Sequence, residues 1–198
     1  MLGSLAKIVG TARDAAGSIV GVRDGTEEPP HRVETLCSDT EIRHYGERLV
    51  AETNVDAGEE AARNVGFRRL AGYIFGGNDA GTKFAMTAPV AQQAVTQQSV
   101  GGGAWVIRFF LPEGLALESL PQPDDPAVRL VRVPAETVAA RRFSGSRSPQ
   151  AVATETARLL EALREKGRTP VGDPVAWFYD PPWTLPALRR NEIAVTVG

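Results

Sequence analysis

Gly66-Phe67-Arg68-Arg69-Leu70-Ala71-Gly72-Tyr73-Ile74-Phe75-Gly76-Gly77-Asn78 reads as the last turns of a helix followed by its stop. Ala61, Ala62, Val65, Leu70, Tyr73 and Ile74 share one apolar face of a helix over roughly 57 to 75. Gly76-Gly77-Asn78 supplies residue types that leave a helix without steric penalty. Outward from this helix the pattern turns to short β-type runs. Glu41 to Tyr45 and Leu49 to Val55 flank Gly46 and predict a hairpin or close strand pair. Lys83 to Val95 and Trp105 to Leu111 predict two more strands, separated by a Gln- and Gly-rich turn ending in Gly101-Gly102-Gly103.

Pro112 to Pro126 reads as a surface crossing, after which the plan repeats. Val128 to Val133 and Thr137 to Phe143 predict strands around Pro134. Ser148-Pro149 introduces a helix lined by Val152, Leu159, Leu160 and Leu163 and closed by Gly167. Val171 to Tyr179 and Glu192 to Val197 predict two last strands, joined by Asp180-Pro181-Pro182-Trp183-Thr184-Leu185-Pro186. The order is ββαββ twice, a repeat of elements more than of identities. This predicts an α+β fold, a single curved antiparallel sheet or open barrel of about eight strands with two helices packed on it. A cleft is expected between helix and sheet, where small apolar ligands usually bind.

Ahead of this domain, placed at 33–198, Leu2, Leu5, Ile8, Val9, Ala12, Ala15, Ala16, Ile19 and Val20 line one stripe of an amphipathic helix. Residues 21 to 32, with Gly21, Gly25, Pro29 and Pro30, read as a linker, so 1–32 is helix plus linker. The polar face carries little positive charge, which favours docking on its own domain or pairing into a homodimer over lying on a membrane.

Of 198 residues 42% are hydrophobic and 23% charged, enough apolar material for a real core. With Lys+Arg 22 against Asp+Glu 24 the net charge is −2, so no basic field is available for a nucleic acid or an anionic membrane. Cys37 is the sole cysteine, and His31 and His44 are the two histidines, which excludes multi-cysteine and multi-histidine metal sites. Lys7, Arg13 and Asp14 interrupt the first apolar residues, and no run approaches a membrane span; the expected location is cytoplasmic. No Gly-x-Ser-x-Gly occurs, and nothing near Cys37 and His44 suggests an activated thiol. Both glycine runs lack the Lys-Ser/Thr ending of a phosphate loop. No catalytic residue is assigned.

The opening stretch is followed closely by Lys83-Phe84-Ala85-Met86-Thr87-Ala88-Pro89-Val90. With Glu41-Ile42-Arg43-His44-Tyr45, Arg142-Phe143-Ser144-Gly145, Tyr179-Asp180-Pro181-Pro182-Trp183 and Arg189-Arg190-Asn191-Glu192, it resembles the SOUL haem-binding protein family from about residue 40 to 198. The resemblance implies a distorted barrel or sheet of eight strands flanked by two helices, similar also to GyrI-like effector-binding domains. It implies binding of haem b or another tetrapyrrole, for buffering, carriage or delivery. Some animal members carry a histidine in the same Ile-Arg-His-Tyr string, proposed there as an iron ligand, which in this sequence is His44.

Haem is a flat apolar disc with an electrophilic iron and two propionates, so its site wants an apolar wall, an axial donor and a cation at the rim. Val65, Leu70, Tyr73 and Ile74 offer a wall along the helix over 57–75, with Arg69 beside Arg63 and Arg68 for the propionates. The same stripe also fits plain packing on the sheet. His44 shares a strand face with Ile42 and is the candidate metal ligand, a structural histidine being the alternative. Met86 is a softer donor that also suits packing, and Trp183 either lids the cleft or caps the sheet end. Whether the chain is an enzyme is left open. The competing reading is a GyrI-like small-molecule binder or hydrolase, or a haem-degrading enzyme, using the same cleft. Glu52, Asp56 and Glu192 would be the carboxylates available to activate water.

Overall fold

The first half of the chain alternates in register with one helix, and the second half does the same with another. In the computed structural model, which describes residues 26–95 and 104–198, the strands are β1 His31–Cys37, β2 Thr40–Tyr45, β3 Arg48–Asp56, β4 Val90–Ala94 and β5 Ala104–Phe110. Then follow β6 Val128–Val133, β7 Glu136–Phe143, β8 Val175–Phe178 and β9 Asn191–Thr196. The helices are α1 Glu59–Ile74, between β3 and β4, and α2 Pro149–Glu165, between β7 and β8. The expected N-terminal helix, and with it the dimer contact, lies outside the described residues.

All nine strands form one antiparallel sheet in the order β1-β2-β7-β9-β8-β4-β5-β3-β6. Leaving out β1, the order reads the same from both ends when the two ββαββ halves are exchanged. The pair at the centre is β4 with β8, and the first strand of each half is lent to the other: β2 pairs β7, and β6 pairs β3. The predicted hairpin over 41–55 is therefore not formed. Gly46 and Glu47 carry the chain from one side of the sheet to the other, because alternation fixes which face a strand buries and leaves its partner open. Two further expectations shift. β1, His31–Cys37, adds a ninth strand where none was predicted. Lys83 to Pro89 is irregular and only Val90–Ala94 is strand, Pro89 having no amide hydrogen for a ladder.

α1 has Glu59 and Glu60 in its first turn, where the helix dipole favours negative charge. Its stop is as the sequence suggests: Gly76 has φ of 106°, and the Gly77 amide donates to the Gly72 carbonyl at 2.8 Å. Asn78 is buried and pins the turn, its Nδ2 donating to the Tyr73 and Thr82 carbonyls and its Oδ1 accepting from the Thr82 amide. At α2 the Ser148 side chain caps the Ala151 amide, with Pro149 in the first turn.

Both helices pack on one face of the sheet. Leu70, Tyr73 and Ile74 meet Ala51, Ile107 and Phe109 beneath α1, and Leu159 and Leu163 meet Ile42, Ala139 and Ile193 beneath α2. The alternate strand residues, Tyr45, Val50, Phe110, Val138, Trp177 and Ala194, form a third cluster on the opposite face. The space between helix and sheet is thus filled by side chains, and the clefts lie on the other, concave face. Among the described residues no helix is long and apolar enough to cross a membrane.

Candidate functional site

Strand alternation divides β2 sharply. Ile42 points under α2, while Arg43 and Tyr45 point to the concave face. Arg43 is buried there and meets Glu192 of β9, which is fully buried, in a two-pronged pair at 2.6 and 3.0 Å. Arg190 Nε donates to the same carboxylate at 2.9 Å and the Tyr179 hydroxyl at 2.7 Å. Glu41 holds the outer edge of Arg43 at 2.9 Å, and Glu28 holds Arg190 at 2.6 Å. Burial by itself would push the Glu192 pKa up, but the hydrogen bond and charge of Arg43, with the charge of Arg190, hold it below the ordinary carboxylate range. Burial and the adjoining Glu192 charge push the Tyr179 pKa well up, so its hydroxyl remains a donor.

Above this cluster lies an open cleft of about 830 Å³ between β1, β2, β7, β9 and the 187–190 segment. Its lining combines Val33 and Leu188, both exposed apolar residues, with Phe143, Arg142, Arg189 and His31. Arg142 is exposed, and its guanidinium has no ion-pair partner among the described residues. Arg189 donates to the Thr184 and Pro182 carbonyls, which anchors its side chain over the rim.

A second, smaller cleft of about 270 Å³ lies near the centre of the same face, walled by Val131, Val138, Val175 and Trp177. Arg48 reaches into it with its side chain 7% exposed, paired by Nη2 with Glu136 and lying 4.1 Å from the Tyr45 ring centroid. Its Nε and Nη1 have no hydrogen-bond partner. Burial pulls the Arg48 pKa down, against the opposing charge of Glu136. Across the cleft, Glu52 accepts from Arg108 and Arg129, each at 2.8 Å.

Residues 26–196 match the family described as SOUL heme-binding protein. The chain belongs to this SOUL family. Among its named relatives, Heme-binding protein 2 of Mus musculus is 30% identical over 163 residues, covering 75% of this chain and 78% of the relative. Heme-binding protein 2 of Homo sapiens is 29% identical over 193 residues, 93% and 89% of the two chains. Solved structures share the fold at lower identity. The EcmrR C-terminal domain superposes with a TM-score of 0.59 at 11% identity, over 85% of this chain and 98% of that one. A hydrolase from Listeria innocua gives 0.56 at 14%, over 81% and 92%.

The residues that the SOUL resemblance and the helix pattern singled out are not brought to one place. Leu70, Tyr73 and Ile74 are buried beneath α1, and Val65 is half-buried on the same helix. Arg69 is tied to Thr53 Oγ1 and the Asn54 carbonyl, with Asp125 at 3.9 Å. Met86 packs at the margin of that core, while Trp183 stands 62% exposed in the C-terminal loop. His44 lies across the sheet from the concave clefts, 41% exposed, with Nδ1 at 3.2 Å from Thr137 Oγ1 and Nε2 at 3.1 Å from Glu34. The sequence reading named His31 and Arg142 without assigning either to a cleft, and did not single out Leu188. The signal for them was the strict alternation of β2: with Ile42 inward under a helix, Arg43 and its cross-strand neighbours had to share the other face.

Among the described residues no group of three or more His, Cys, Asp and Glu could hold a metal ion. An iron here would be held by its porphyrin and at most by one or two side chains. Among the charged residues that line it, the larger cleft offers Val33, Phe143 and Leu188 as apolar contacts for the disc and the unpaired Arg142 guanidinium for a propionate.

Proposed function

We propose that the protein binds haem b or a closely related tetrapyrrole, and that it does so to buffer, carry or deliver it. The observation that carries this reading is the pairing, in one open cleft on the concave face, of exposed Val33 and Leu188 with the unpaired Arg142. Family membership supports it. Each propionate is a carboxylate, for which a free arginine is the best-matched partner, and the apolar residues match the ring. An open cleft gives the ligand access and release without a lid, which suits carriage. Hydrolysis fits the carboxylates poorly: Glu192 is locked between two arginines, Glu52 accepts from two more, and Asp56 stands exposed at the end of β3.

A haemin titration of tag-free protein followed by absorbance tests this. The expected result is saturable one-to-one binding, weakened about tenfold by Arg142→Glu or Leu188→Glu, in line with a lost charge-assisted contact of about 1.5–3 kcal/mol. Phe67→Glu, on the exposed side of α1, is expected to leave affinity unchanged. The reverse pattern would move the site to a groove along α1.

A second reading rests on the smaller cleft. Arg48 keeps two donors unsatisfied beside Trp177 and Phe110, an environment made for a small aromatic carboxylate. Its test is thermal stabilisation by such acids that vanishes in Arg48→Met while haemin affinity stays constant.

A further inference from the structure

The larger cleft contains one side chain whose donor atom is free and whose ring is already oriented. His31 opens β1, stands directly opposite Tyr45 of β2, and packs on its ring with centroids 4.8 Å apart. Val33, the next residue on the same face, pairs with Arg43 and joins His31 in lining the cleft. His31 Nδ1 lies 2.8 Å from the Pro29 carbonyl. A carbonyl oxygen only accepts, so Nδ1 carries the hydrogen, and in the neutral ring the lone pair sits on Nε2. Nε2 has no partner among the described residues. A histidine that gives its other N–H to a carbonyl is the form in which imidazole binds metals, since that bond fixes the tautomer, orients the ring and raises the basicity of the ligating nitrogen.

The contrast with His44 is complete. Its two ring nitrogens face Thr137 and Glu34, and it sits on the helix side of the sheet with Ile42. To ligate in the concave cleft it would have to give up both contacts and lie on the other face of β2.

We propose that His31, through Nε2, is the axial ligand to the iron of a haem held in the cleft between β1, β2, β7 and β9. This rests on the haem reading above. Cys, Met and Tyr are absent from the residues lining that cleft, which leaves His31 as its one imidazole, thiolate, thioether or phenolate donor.

The test is ferric haemin binding to the tag-free full chain, read by absorbance and electron paramagnetic resonance, for wild type, His31→Ala, His31→Gln and His44→Ala. His31 sits half-exposed on an edge strand, and His31→Gln retains a donor for the Pro29 carbonyl; near-ultraviolet circular dichroism confirms that each variant is folded. Both His31 variants are expected to shift the Soret band and lose affinity by about tenfold or more. Added imidazole restores the wild-type spectrum to His31→Ala, and His44→Ala matches wild type. Folded His31 variants that bind with the wild-type spectrum and affinity overturn the ligand assignment and leave haem binding intact, as does a Soret shift confined to His44→Ala. Wild-type protein that shows no saturable haemin binding overturns the haem reading itself, before any variant is compared.

Discussion

Glu192 is a charge with none of its surface in water, and the residues around it decide whether that is tolerable. A lone buried carboxylate would take up a proton; here Arg43, Arg190 and the Tyr179 hydroxyl surround it and keep it ionised. Removing the charge in Glu192→Gln leaves two largely buried guanidiniums facing an amide. The expected loss is about 3 kcal/mol, the low end for breaking a buried pair, since Glu41 and Glu28 still hold one arginine each. Urea denaturation at neutral pH measures it. The direction with pH follows from the depressed native pKa: the unfolded chain binds a proton near 4.5 and the folded one only lower. The stabilisation is therefore complete above 4.5 and is lost as pH falls through the native value. Below pH 4.5 the gap between wild type and Glu192→Gln should narrow. Equal acid sensitivity of the two proteins would show that this carboxylate is not what acid unfolds. The sequence showed Glu192 as a bare carboxylate, and its partner Arg43, 149 residues away, could be found only through the sheet register.

At the scale of elements, α1 carries two internal glycines with opposite reasons to exist. A Cβ on Gly66 would stand 2.4 Å from Ile107 Cγ1 and 2.7 Å from its Cβ, so the helix lies on β5 more closely than any side chain allows. A Cβ on Gly72 would meet nothing within 4 Å. Gly66→Ala is expected to cost about 1–3 kcal/mol by overpacking, despite alanine's better helix propensity. Gly72→Ala is expected to add about 0.5–1 kcal/mol. Urea midpoints on the two single variants check both signs, and Ile107→Ala should absorb part of the Gly66→Ala loss because the two sites touch. Helix existence, span and stop were legible from the 66–78 stretch because periodicity and glycine chemistry are local. The strand partners were not. The 41–45 and 49–55 runs alternate as hairpin strands do, yet each pairs elsewhere, and nothing in a strand's own alternation names its neighbour. The position of the clefts was not legible for the same cause. The helices' apolar stripes fitted a ligand wall as well as plain packing, and in the fold they pack on sheet residues such as Ile107 and Ile193.

Over the whole molecule, the exchange of first strands joins two halves that look separable in sequence. β2 of the first half lies between β1 and β7, and β6 of the second half closes the edge beyond β3. The ββαββ order was legible twice over, and with it the likeness of the halves; the exchange was not, because it is a matter of which distant runs meet. Ile42 pairs Ala139, and Val50 pairs Val131, contacts of high sequence separation that form only when both halves are present. Cutting between the halves near Gly114 would leave the first without cover for β2 on its β7 side and the second without a partner for β6. It would also divide the concave face, since Arg43 and Glu192, and Arg48 and Glu136, come from opposite halves. The intact chain is therefore expected to unfold in one transition, with far-ultraviolet circular dichroism and the fluorescence of Trp105, Trp177 and Trp183 giving the same urea midpoint. Residues 1–114 and 115–198 made separately are expected to lack near-ultraviolet structure and to regain it on mixing. A half that melts cooperatively by itself would mean that the lent strand is dispensable, and that the shared cleft is assembled by docking two finished domains rather than by folding one.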